Sequence, residues 1–81
     1  MRRLLLYSRP GCHLCEEMKH VVSRALQHMP AGAAALCEID ISGDPSLEDL
    51  YGREIPVLLI DGRKAAKYRM TERELLRKLG A

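Results

Sequence analysis

The hydrophobic period changes twice between residues 3 and 41, and this change constrains the fold more than any other feature of the chain. Arg3-Leu4-Leu5-Leu6-Tyr7 is a nearly continuous apolar run that ends at Ser8-Arg9-Pro10-Gly11, a turn signal. It predicts a buried strand that breaks into a loop. From His13 to Met29, residues Leu14, Met18, Val21, Val22, Ala25 and Met29 recur at helical spacing. Charged and polar residues fill the gaps, so the pattern predicts an amphipathic helix of about four to five turns. Pro30 and Gly32 stop it. From Leu36 to Ile41 the residues alternate, with Cys37, Ile39 and Ile41 on an apolar face and Glu38 and Asp40 on a polar one. That is a second strand. A strand, a helix and a strand in this order make the two strands parallel, joined by a right-handed crossover.

The second half carries local punctuation. Asp44-Pro45 reads as a helix cap followed by proline at the first helical position. A short helix through Leu47 and Leu50 follows and ends near Gly52. Val57-Leu58-Leu59-Ile60 is a central-type strand, and Asp61-Gly62 is a two-residue hairpin turn returning through Arg63 to Tyr68. Thr71 and Glu74 form a capping box, Leu75, Leu76 and Leu79 form a buried stripe, and Gly80 ends the last helix. The expected architecture is a single α/β domain, residues 1–81. It has a four-stranded mixed sheet in the order 2-1-3-4, with helices one and three on one face and helix two on the other.

An 81-residue chain is room for one domain. It buries only about 60–65% of its unfolded surface, so any active site should be shallow and built from few residues. With no Trp, no Phe and three Tyr, the core must be aliphatic, and there is no base-stacking platform for single-stranded nucleic acid. A formal charge of +2 is too weak to imply a polyanionic partner. No stretch is apolar enough to span a bilayer. Arg2 and Arg3 are followed by only three leucines, too few for a signal peptide, so the expected location is the cytoplasm. Thiols stay reduced there, and cysteines are more often chemical than structural.

Cys12-His13-Leu14-Cys15 falls at the junction of strand one and helix one. Cysteines at i and i+3 lie about 5–6 Å apart, within disulfide reach. Cys12 is placed at the helix N-terminus, where unpaired backbone N–H groups favour a thiolate, and Arg9 and His13 add positive charge. A free thiol with a pKa of about 8.5 is only a few per cent ionised at neutral pH. Lowering it by about two units, roughly 2.7 kcal/mol, would make most of it nucleophilic. Cys15, one turn further in, is then the resolving thiol. Zinc is the competing reading, because Cys12, Cys15 and His28 match part of a zinc-finger spacing. However, His28 lies about 20 Å along the helix from Cys15, so no metal site is expected. Cys37 is expected to be a buried, inert cysteine.

The segment Leu6-Tyr7-Ser8-Arg9-Pro10-Gly11-Cys12-His13-Leu14-Cys15 resembles the first strand and active-site loop of a glutaredoxin. Ile55-Pro56-Val57 resembles the cis-proline segment of the thioredoxin superfamily, and the element order is that of glutaredoxins. The resemblance covers essentially the whole chain. It implies a thiol–disulfide oxidoreductase acting through Cys12 and Cys15 by a dithiol mechanism. It also implies that Arg9 meets a glutathione carboxylate, that Ile55 offers backbone groups to an extended substrate, and that Pro56 is cis. His13 stands where glutaredoxins usually carry proline, and Ala66-Lys67 where they carry a Gly-Gly pair. The glutathione signature is therefore missing. No tightly bound cofactor is expected, and glutathione remains a candidate co-substrate. The expected partners are a disulfide-containing protein or a small-molecule thiol, with no nucleic acid and no membrane, and the expected state is a monomer. The alternative reading is a non-catalytic, redox-sensing module that binds a peptide or a metal on the same fold.

Overall fold

A computed structural model describes residues 1–80. The elements are β1 (Arg2–Ser8), α1 (His13–Gln27), β2 (Ala34–Asp40), α2 (Pro45–Tyr51), β3 (Val57–Ile60), β4 (Arg63–Lys67) and α3 (Glu72–Leu79). They form one four-stranded sheet in the order β2-β1-β3-β4. β1 runs parallel to β2, with Leu4 opposite Leu36 and Tyr7 opposite Ile39. β3 is antiparallel to both β1 and β4, and Leu6 lies opposite Leu58.

Alternation along β1 divides the core. Leu4 and Leu6, with Leu58 and Ile60 of β3, face Met18, Val22 and Ala25 of α1 and Leu75 and Leu79 of α3. The opposite parity carries Tyr7, whose ring stacks on Tyr51 of α2 at 4.3 Å between centroids. Thus α1 and α3 share one face and α2 lies on the other. No helix among the described residues is long and apolar enough to cross a membrane.

Local chemistry sets most boundaries. Asp44 caps α2 by accepting the Ser46 and Leu47 N–H groups. Thr71 and Glu74 close their capping box. Asp61 and Gly62 both have positive φ, 50° and 84°, as a tight two-residue hairpin requires. α1 ends two residues before Met29. Met29 precedes Pro30, and the proline ring disfavours helical backbone at the residue before it.

Cys37 is a correction: it is exposed. The face it shares with Ile39 and Ile41 is the one on which α2 lies, and the seven residues of α2 span about 10 Å. β2, also seven residues, is about twice as long. α2 reaches the Ile41 end, where Ile41 is fully buried, and leaves Cys37 open. The better-covered face of β2 carries Ala34 and Leu36, which pack on the main core.

Four carboxylates, all exposed except the half-buried Glu54, are held below their ordinary pKa values, 3.8 for Asp and 4.5 for Glu. The Arg3 N–H and then the Arg2 guanidinium do this for Asp61. The Thr71 hydroxyl does it for Glu74, Lys64 for Glu54, and the Ser42 hydroxyl for Asp40. Groups that hold protons less tightly when folded contribute stability above their unfolded values, and that stability is lost as pH falls through the folded values. The urea midpoint should therefore stay flat from about pH 8 to 6 and fall as pH drops below about 4.5. A midpoint that rose on acidification would contradict this sign.

Candidate functional site

The site begins with a turn. Arg9 C=O accepts the Cys12 N–H at 3.3 Å, with Pro10 and Gly11 between them and Gly11 at φ +78°. Proline second and a positive-φ glycine third make this a type II turn, which brings the chain abruptly from β1 into α1. Cys12 is the N-cap of α1, and its sulfur accepts the Cys15 N–H at 3.1 Å. The cysteines are joined as a disulfide, with Cα atoms 5.2 Å apart. Cys12 is half-buried, whereas Cys15 is 2% exposed.

Ser8, the last residue of β1, is buried, and its hydroxyl donates to Glu38, which also pairs with Lys19 of α1 at 3.3 Å. The strand, its neighbour and the helix are thus tied together just below the turn. Val57 pairs with Tyr7, so Pro56 reaches the same end of the sheet as Ser8. The Ile55–Pro56 peptide is cis. Pro56 is buried, and its carbonyl accepts the Tyr68 N–H at 2.9 Å. Tyr68 takes a left-handed conformation, φ 66°, uncommon for a bulky side chain, and its hydroxyl donates to the Arg53 carbonyl. The turn before the last helix is thereby anchored to the Ile55-Pro56 segment.

The predicted site residues divide into two sets. Cys12, Cys15, Ile55 and Pro56 gather at one end of the sheet. Arg9 and His13 each meet a carboxylate. Arg9 Nη2 lies 2.6 Å from both carboxylate oxygens of Glu48 on α2. The His13 side chain is 89% exposed, and its carboxylate neighbour is Glu17 at 3.9 Å. Lys64 and Lys67 of β4 pair with Glu54 at 2.7 and 3.7 Å, and this hydrogen bond holds the Lys64 ammonium above its ordinary pKa. A cleft of about 480 Å³ opens between α1 and the β4–α3 turn, lined by Val21, Arg24, Arg69 and Met70 among others. Neither cysteine reaches it. Among the described residues, no three His, Cys, Asp or Glu side chains gather closely enough to hold a metal ion.

The family described as Glutaredoxin-like domain (DUF836) matches residues 3–80. The chain belongs to that family. The "Glutaredoxin-like protein YDR286C homolog" of Dictyostelium discoideum is 31% identical to this glutaredoxin-like domain over 72 residues, covering 85% of this chain and 67% of the relative. The X-ray structure of target protein XcR50 from X. campestris superposes with a TM-score of 0.79 at 32% identity, covering 95% of each chain. A mutant thioredoxin from Halobacterium salinarum NRC-1 superposes with a TM-score of 0.68 at 23% identity, covering 96% of this chain and 71% of the thioredoxin. That last likeness speaks to architecture: this glutaredoxin-like domain has the thioredoxin fold.

Sequence reasoning missed Glu48 and Tyr51. They lie three residues apart on α2, hence on one side of it, and they hold Arg9 and Tyr7, the two ends of the Tyr7-Ser8-Arg9 segment. The available signal was that spacing, in a helix too short to bury any residue fully.

Proposed function

We propose that this domain is a thiol–disulfide oxidoreductase that works through Cys12 and Cys15. The observation that supports it best is the asymmetry of the pair: Cys12 is half-buried and its sulfur accepts a helix N-terminal N–H, whereas Cys15 is 2% exposed. A hydrogen bond to sulfur at a helix start favours the thiolate. The Cys12 thiolate attacks one sulfur of a substrate disulfide. A mixed disulfide forms, and the other substrate sulfur leaves as a thiolate. The Cys15 thiolate then attacks the Cys12 sulfur, and the second substrate thiolate departs. Two electrons pass to the substrate, and the protein is left with the Cys12–Cys15 disulfide. Glutathione or a thioredoxin-type reductase returns it to the dithiol. Ile55 supplies backbone groups to an extended substrate, and the site needs no resident metal or organic cofactor. The domain works as a monomer in the cytoplasm on a disulfide-containing protein or small thiol compound.

Turnover of a neutral disulfide, assayed once with glutathione and once with thioredoxin reductase, tests the activity and names the donor. Alkylation of the reduced protein at mildly acidic pH tests the roles. Label should enter Cys12 first, although Cys37 is the more exposed thiol. Faster labelling of Cys37 or Cys15 would overturn the assignment.

A further inference from the structure

We propose that Glu48 is a specificity-determining residue: it occupies Arg9 and so turns the site away from anionic disulfides toward neutral and cationic ones. The inference rests on the thiol–disulfide reading above. Arg9 is the only charged residue between β1 and Cys12, and thus the cation best placed to receive an acidic substrate. Its Nη2 instead lies 2.6 Å from both Glu48 oxygens. Asp40, at the end of β2, feels the Arg9 charge as well. Arg9 is therefore neutralised by Glu48, and the pair presents no net positive charge for a substrate to meet.

The pair has little structural reason to exist. Its side chains are 40% and 36% exposed, and ion pairs so exposed contribute little to stability. They still change the local potential, which is what a charged substrate senses. Gly52 packs against Glu48 so closely that a Cβ there would stand 3.1 Å from Glu48 Oε2 and 2.5 Å from the Glu48 carbonyl oxygen. A side chain at position 52 would therefore press on the α2 backbone at Glu48 and crowd the carboxylate that holds Arg9. Beside the Ile55-Pro56 segment the balance is reversed, with one carboxylate, Glu54, for two lysines. A disulfide whose flank toward α2 is neutral or basic fits this distribution, and one carrying an acid there does not.

Three small disulfides of different charge separate the possibilities: dithiodipropionate (anionic), hydroxyethyl disulfide (neutral) and cystamine (cationic). For Glu48→Gln, kcat/KM for the anionic disulfide relative to the neutral one should rise about three- to fivefold at low salt, the range available to one exposed ion pair. The cationic-to-neutral ratio should fall. Both shifts should shrink toward one in about 0.5 M salt. Adding Arg9→Gln to Glu48→Gln should cancel the gain, because the freed cation is then gone. Equal change for all three disulfides would mean that Glu48 acts through the fold or the thiol, and unchanged ratios would mean that it is a surface pair only. Either result overturns the proposal while leaving the redox reading standing. Absence of turnover of all three by the unmodified protein would overturn both.

Discussion

Replacing Cys12 by serine should abolish disulfide exchange and leave the fold intact. The reasoning separates two jobs that one side chain performs. As the N-cap of α1, Cys12 accepts the Cys15 N–H through its sulfur. Serine is among the best N-cap residues, and its hydroxyl can accept the same bond, so the helix start survives the substitution. As a nucleophile, serine is not equivalent: it is unionised at neutral pH and cannot form the mixed disulfide. Activity should fall to the assay background while the melting temperature moves little from that of the reduced protein, which likewise lacks the Cys12–Cys15 cross-link. Cys15→Ser should behave differently. It removes the buried resolving thiol, so the first step still occurs and the mixed disulfide on Cys12 accumulates, visible as an added substrate mass. Residual turnover in Cys12→Ser, or no trapped adduct in Cys15→Ser, would refute the division of labour.

What was legible in the sequence was coded locally. The Asp61-Gly62 turn, the Thr71–Glu74 capping box and the Asp44 cap each depend on residues within a few positions of one another, and each forms as expected. The strand–helix–strand order followed from the change of period, and with it came the position of Cys12 at the start of α1. Two features were hidden because they depend on how far an element extends in space. Alternation along β2 separates its faces but does not say how much of each is covered, and α2 is too short to shield Cys37. The Arg9–Glu48 pair joins residues 39 apart, and no local pattern distinguishes that glutamate from its neighbour Asp49. The resemblance implied a carboxylate partner for Arg9, and the sequence could not show that the position of α2 brings the Glu48 carboxylate to it.

The largest stability loss should come from the strand that carries the cysteine loop. Leu6 is fully buried in β1, lies opposite fully buried Leu58 on β3, and belongs to the cluster shared with α1 and α3. Leu6→Ala removes most of a side chain from a close-packed site and leaves a cavity, at a cost of about 2–5 kcal/mol. A domain of this length has only about 4–12 kcal/mol to lose. The core contains no Phe or Trp, so no large ring stands near to swing into the space, and the upper half of that range is expected. Leu50 supplies the contrast. Its residue is 64% exposed on α2, and Leu50→Ala should change stability by less than about 0.5 kcal/mol. Urea unfolding of both variants decides the matter. A Leu6→Ala loss no greater than that of Leu50→Ala would mean that β1 does not organise the core. Because the Pro10-Gly11 turn and the Cys12 cap are local, the folded fraction of Leu6→Ala should keep the Cys12 labelling preference even as that fraction shrinks.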